Sequence, residues 1–503
     1  MRKLDRPRNF LVPALILLCI AALPGFARGT GNRGGGALKP LDTSKQVELV
    51  LYIIGVESPM QKEIDDNFNR IALEKLNCTL KVYYIGWSEW RNKYPLLFSS
   101  GEAFDMAYTA TWLNWSELAM RGAFKPLDEL WPAYAPKNYA RQSPTALRQA
   151  SVDGHLYVIP TLLGTFHTFG PIYRAELALP YGWNGKMENF QDIERYLQIV
   201  KNNNPGIEPF ALHAEGSQFD DIYIAFHELF GLSSFFIIDP KLDNPKLMTY
   251  WEWSRTPEFL ALMKKWSDAG YWSKSALSDQ DSEKFLNGKA GLRLHNIDTY
   301  ESMYRQRPNY DIRFTNFIKD SSYLAFTQDA LAIPTSSKNP ERALALYDLI
   351  TNDETVWRAF FYGIEGKSYE LVNQGGQQQV RPINTDAYAW SNLWAARTPE
   401  FFLPAAGSPS DIPEIKAGLR AYIKDGVNAQ KIRSFILDTS PYATELAACQ
   451  SAHQQYWMPL EVGYVEPVAG LKEYEEKMKA AGIEKIRAEV QKQLDAYLAS
   501  LKN

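Results

Sequence analysis

Three runs decide the fold: QVELVLYI (Gln46 to Ile53), TLKVYYI (Thr79 to Ile85) and FDMAYT (Phe104 to Thr109). Each is short and rich in β-branched or aromatic residues, which predicts strands. Ser58 to Leu76 and Trp87 to Ser99 lie between them. Both read as helices, the first with Pro59 near its first turn and the second interrupted at Pro95. Strands alternating with helices predict βαβ units, an α/β class and a mostly parallel sheet. The third run, short and largely apolar, suits a parallel strand buried on both faces.

The alternation continues downstream. Val152 to Ile159 (VDGHLYVI) holds an Asp153-Gly154 turn and a strand ending at Pro160. Phe190 to Val200 and Thr256 to Ala269 read as helices, Lys289 to Leu294 and Leu324 to Pro334 as strands. Asn339 to Thr351 is a helix with Pro340 in its first turn and Ala343, Leu346, Tyr347 and Ile350 on one face. At the C-terminus Ile483, Ile486, Val490, Leu494, Tyr497 and Leu501 recur at helical steps. That helix is expected to dock on the body; a partner helix is the alternative. No internal repeat is evident.

Upstream, Arg2, Lys3, Arg6 and Arg8 precede an apolar run from Phe10 to Leu23 and a small-residue exit, Pro24-Gly25-Phe26-Ala27. This is the order of a secretory signal peptide over residues 1–27. A retained anchor and a lipid-modified Cys19 are the alternatives; Leu18 stands where lipidation prefers a small residue. Residues 28–45, with Gly29, Gly31, Gly34, Gly35 and Gly36, read as a flexible tether. The reading places the protein outside the cytoplasm, periplasmic or extracellular, which disfavours ATP- and nicotinamide-dependent chemistry.

Of 503 residues, 46% are hydrophobic and 22% charged, the mix of a globular chain with two or three domains. A net charge of −4 provides no basic excess for phosphates and argues against nucleic acid. Aromatics reach 13%, and Trp recurs beside polar residues: Trp87-Ser88-Glu89-Trp90, Trp112-Leu113-Asn114-Trp115, Trp251-Glu252-Trp253 and Trp390-Ser391-Asn392-Leu393-Trp394. Flat rings beside carboxylates and amides suit sugars, whose C–H faces stack while their hydroxyls take hydrogen bonds. Trp at the edge of a core is the competing reading of each. Cys78 and Cys449 are expected to be free buried thiols, with a single bridge as the alternative.

Catalytic motifs are missing from the sequence. There is no Gly-x-Ser-x-Gly elbow, and His227-Glu228 is followed by Leu229, Phe230 and Gly231 rather than by a zinc-binding pattern. The six histidines lack metal spacing. Gly366-Lys367-Ser368 fails as a phosphate loop because Phe361 occupies the glycine position. The pairs Asp65-Asp66, Asp220-Asp221 and Glu475-Glu476 point in different directions on a helix and read as solvated. No cofactor and no metal are expected.

Four stretches resemble the extracellular solute-binding proteins of ABC-type carbohydrate importers, the class that includes maltose-binding protein. They are Gly55-Val56-Glu57-Ser58; the Phe104 to Thr109 strand with Gly122-Ala123-Phe124-Lys125-Pro126-Leu127-Asp128; Asp153 to Pro160; and Phe285 to Leu292 with Asp329 to Pro334. Gly363 to Glu370 and the tail from Gly463 resemble a longer subgroup with a C-terminal helical extension.

The resemblance implies a type II periplasmic-binding-protein fold: two discontinuous α/β lobes joined by hinge crossings, with ligand between them. Lobe 1 is expected over 46–163 plus 328–385, lobe 2 over 164–327 plus 386–460, and the extension over 461–503. It also implies a monomeric, non-enzymatic carrier that takes a carbohydrate, in particular an oligosaccharide, to the permease subunits of a membrane importer. A secreted glycoside hydrolase and an adhesion module are the alternatives. Candidate ligand-binding residues are Glu57, Ser58, Thr109, Trp112, Trp115, Phe166, His167, His295, Asp298, Gln328, Asp329, Trp390 and Trp394. Asp298 and Asp329 are expected to accept hydrogen bonds from sugar hydroxyls.

Overall fold

The computed structural model describes residues 38–502 apart from Ser88, Glu215, Pro308, 319–321, Asp386, Ala389 and 424–427. The expected signal peptide and most of the glycine-rich tether lie outside these residues. Among the described residues no helix is long and apolar enough to cross a membrane.

The strand Val47–Ile54 pairs in parallel with Cys78–Ile85 along its length, and through Leu51 and Tyr52 with Met106–Thr109. Parallel neighbours need crossovers, and Gln61–Leu76 and Trp90–Ser99 supply them. Pro59 stands before the first helix, and Pro95 sits inside the second without ending it. Ala330–Ala332 and Val158–Pro160 complete a five-stranded sheet in the order 78–85, 47–54, 106–109, 330–332, 158–160. Leu49, Leu51, Tyr108, Trp131, Leu331, Leu346 and Trp357 are among the residues of the first core around this sheet.

A second sheet runs Ile312–Phe314, Gly170–Arg174, Ala290–His295, Glu208–Phe210. Helices Phe190–Asn203, Phe219–Phe226 and Thr256–Asp268 contribute to a separate core. Gly170 is required where two strands meet, because a Cβ there would lie 1.8 Å from the Thr315 carbonyl oxygen. Cys78 belongs to the first core and Cys449 to the second, so both are free thiols.

Three observations redraw the expected outline. Leu324 to Pro334 is not one strand. Leu324–Ala325 pairs with Thr165–Phe166 in a ribbon between the lobes, and 330–332 joins the first sheet, with a bend over 326–329. Residues 393–396, expected in the second lobe, pack in the first core. Trp357 Nε1 donates to the Ala396 carbonyl at 2.7 Å and the Tyr347 hydroxyl to that of Ala395 at 2.8 Å. The C-terminal helices, expected as an extension over 461–503, are part of the second core itself. Ile432, Tyr442 and Trp457 are buried there with Tyr474, Ile486, Val490 and Leu494. The chain passes between the lobes over 161–166, over 324–329, and again between Ala406, bonded to Val380 of the first lobe, and Ile412 of the second.

Candidate functional site

In the first sheet the strands 47–54, 78–85, 106–109 and 158–160 run the same way, so their carboxyl ends share one edge. Open α/β sheets bind ligands beyond that edge. The loops there carry Glu57 and Ser58, then Trp87, then Trp112, then the first crossing.

Trp87, Trp112 and Trp394 converge at this edge. The rings of Trp87 and Trp394 lie 5.9 Å apart at 22°, those of Trp87 and Trp112 6.0 Å apart at 32°. Trp90 meets Trp112 edge-on at 5.2 Å, and Tyr108 meets Trp394 edge-on at 5.9 Å. Trp87 is 41% exposed, a large apolar ring left in water at the rim of a packed cluster. Trp112 and Trp394, singled out in the sequence, are thus brought together. Trp87 joins them from a tryptophan-rich stretch whose site role went unassigned.

Other candidates fall elsewhere. Thr109 and Trp115 are buried in the first core, at 0% and 2% exposure, and present no surface to a ligand. Asp329 is equally buried and already engaged. It accepts from the Tyr108 hydroxyl at 2.7 Å, from Thr165 Oγ1 at 3.3 Å, and from Arg397. Arg397 also donates to Thr165 Oγ1 at 2.8 Å and pairs with Asp298 at 3.3 Å, so one guanidinium clasps the crossings to a second-lobe helix. Burial opposes its charge, yet Asp329 and Asp298 hold its pKa above the usual value. Asp298 keeps about a third of its side chain exposed; despite burial, Lys416 and Arg397 hold its carboxyl below the ordinary range. Gln328 sits beside Thr111 at 3.4 Å.

Trp390 adopts φ 97°, a conformation that non-glycine residues rarely hold. The Arg305 guanidinium from the second lobe lies over its ring at 4.8 Å. Phe166 is buried beneath Arg420 at 5.0 Å. His295 is hydrogen-bonded with Thr299 Oγ1 at 2.6 Å. His167 stacks on Tyr323 at 4.3 Å and lines a cavity of about 290 Å³. Arg433, on another wall of that cavity, donates to Thr111 Oγ1 at 2.7 Å. The roles of Arg397 and Arg433 left no sequence signal, because both depend on distant segments meeting.

A buried acid cluster lies behind the cavity. Asp220 accepts from Trp457 Nε1 at 3.1 Å and from the Tyr250 hydroxyl at 3.3 Å; Glu461 accepts from Ser217. Burial raises Asp220, and burial with the charge of Asp220 pushes Glu461 well above the usual range. In the unfolded chain these carboxyls titrate near ~4. The folded state therefore loses stability as pH rises from there through the raised values. Half-buried histidines act oppositely. Burial lowers His167 to about 3 and His295 and His453 to about 4. Their contribution is full above about 6.5 and declines as pH falls. A variant comparison isolates the acid: Glu461→Gln is expected to raise Tm over the parent protein at pH 8, and the gap should narrow at pH 4.5. Thermal scans at both pH values check this, and a constant gap would exclude the linkage.

Comparison with known proteins follows the same outline. A curated protein of Streptococcus pneumoniae serotype 4 (strain ATCC BAA-334 / TIGR4), described as a carbohydrate ABC transporter substrate-binding protein, is 26% identical over 511 residues, covering 98% of this chain and 100% of that one. Two crystal structures of the N-glycan transport solute binding protein NgtS from Streptococcus pneumoniae share the fold. The complex with Man1GlcNAc has a TM-score of 0.75 at 22% identity, covering 90% of this chain and 100% of that one. The complex with Man5GlcNAc has a TM-score of 0.75 at 23% identity, covering 90% and 99%. Residues 431–499 match a domain of unknown function, DUF3502. The family model of the bacterial extracellular solute-binding proteins matches residues 54–357, more than half of the chain. The two-lobed chain thus belongs to the bacterial extracellular solute-binding proteins.

Proposed function

We propose that this protein is the substrate-binding component of an ABC-type importer. It captures an oligosaccharide between its lobes and delivers it to the membrane permease without breaking a bond. The observation that carries the reading is the convergence of Trp87, Trp112 and Trp394 at the carboxyl edge of the first sheet. Stacked rings bind the C–H faces of sugars. From the first lobe, Glu57, Ser58 and Trp390 add contacts to this platform. From the second lobe and the crossings, His295, Asp298 and Gln328 supply polar groups. The related protein's complex with Man5GlcNAc makes a branched mannose-containing glycan a natural first probe. The expected setting is outside the cytoplasm, as an exported monomer.

Isothermal titration with Man5GlcNAc and a set of neutral oligosaccharides, alongside an assay for released reducing sugar, tests the reading. Binding without release supports the carrier. Release would instead support a secreted glycosidase, and binding of no glycan would overturn the carbohydrate reading.

Few segments cross between the two cores, so rotation of the lobes leaves both intact. A sugar touching both walls stabilises the closed arrangement selectively. Small-angle scattering is expected to show a smaller radius of gyration at saturating ligand. An identical radius with binding confirmed would mean that the cleft is rigid.

A further inference from the structure

The cavity beside the crossings draws its walls from three parts of the chain. His167 and Tyr323 come from the crossings, Ala225 from helix Phe219–Phe226, and Ile432, Arg433 and Phe435 from the segment that matches DUF3502. We propose that this cavity is a saccharide subsite, separate from the tryptophan platform, in which Arg433 holds a carbonyl or carboxylate oxygen on the terminal sugar. The proposal rests on the carbohydrate-binding reading above and gives the C-terminal segment a part in it.

Arg433 is the reason. Its Nη2 donates to Thr111 at 2.7 Å and its guanidinium lies over the Tyr323 ring at 5.3 Å. The guanidinium forms part of the cavity wall and offers its remaining N–H groups to a ligand oxygen. A planar guanidinium favours oxygen on a flat carbon, as in an N-acetyl group or a uronate. The volume, about 290 Å³, lies at the small end of ligand pockets, enough for a single ring rather than a chain. Ala225, Ile432 and Phe435 provide an apolar wall for a methyl group or a sugar face. Thr111 immediately precedes Trp112, so the Arg433–Thr111 bond places the cavity next to the platform. One oligosaccharide therefore reaches both.

Asp221 separates the two acceptor types. It lines the same cavity and is exposed there. Its carboxylate repels a carboxylate and leaves an N-acetyl oxygen unaffected. Affinity for a uronate should therefore be lower than affinity for an N-acetyl sugar.

The test titrates the full chain with Man5GlcNAc, trimannuronate and mannotriose; mannotriose carries neither acceptor. Arg433→Ala is expected to weaken the acceptor-bearing probe that binds by about tenfold or more. Mannotriose binding should change less than about twofold, and Arg433→Lys should recover only part of the loss. Gly231→Trp provides a route that leaves Arg433 in place. Gly231 lines the cavity, and an added Cβ there meets open space, so a large ring can obstruct the site without disturbing the fold. It should reproduce the selective loss. Equal loss on all three probes would overturn the subsite, as would unchanged binding in both Arg433→Ala and Gly231→Trp; either result leaves the importer reading standing. A parent protein that binds none of the probes would overturn both.

Discussion

Replacing Arg397 by alanine should destabilise the protein by about 3–5 kcal/mol, the cost of leaving a buried charge without its partner. Asp329 is 5% exposed at the side chain and Arg397 11%, so water cannot replace what is lost. The same guanidinium holds Thr165 and Asp298, so its removal loosens the crossings and a second-lobe helix together. Asp298→Asn provides the contrast. That carboxylate is about a third exposed, and solvent screening limits its loss to below about 1 kcal/mol. Arg397→Lys should fall between the two, because an ammonium keeps the charge without the planar fork. Denaturant unfolding followed by tryptophan fluorescence measures all three. An Arg397→Ala protein within about 1 kcal/mol of the parent would show that the clasp is not a stabilising element.

Trp87→Ala and Trp394→Ala should each weaken oligosaccharide binding by about 1–3 kcal/mol, roughly 5- to 150-fold. The two changes should differ in their effect on stability. Trp87 stands 41% exposed, so its loss should leave Tm nearly unchanged. Trp394 packs edge-on against buried Tyr108 and face-on against Trp87, so its loss should also lower Tm. Titration calorimetry beside thermal scans separates the contributions. Unchanged affinity in both Trp112→Ala and Trp394→Ala would remove stacking as the basis of recognition.

The first lobe was legible because its signals are local. The parallel strands announce themselves as short apolar runs, and Asp153-Gly154 marks its turn with φ of 51° and 82°. Trp112 and Trp394 stood out in the sequence as large rings among polar neighbours, and the fold brings both against the ring of Trp87. Asp329 was misread for the opposite reason. A carboxylate beside a predicted hinge looks available until Arg397, 68 residues further on, is seen to occupy it. The short strands Gly170–Arg174, Glu208–Phe210 and Ile312–Phe314 escaped notice because three to five residues hold too little periodicity to distinguish from loop. Arg433 was beyond reach for a different reason. Its meaning depends on a C-terminal segment folding back onto the short helical turn Thr111–Leu113.

The second core has a consequence for the order in which the molecule takes shape. It draws on residues from Tyr173 to Leu498, and Trp272 Nε1 waits for the Val462 carbonyl at 3.1 Å. Contacts that distant in sequence form slowly. While the chain is being synthesised, the second lobe keeps an unfinished apolar surface until its final helices arrive, and during that interval it is exposed to aggregation and proteolysis. A chain stopped before residue 431 would carry that exposure permanently, because Trp272 would lose the Val462 carbonyl and the core would lack Trp457, Tyr474, Ile486 and Val490.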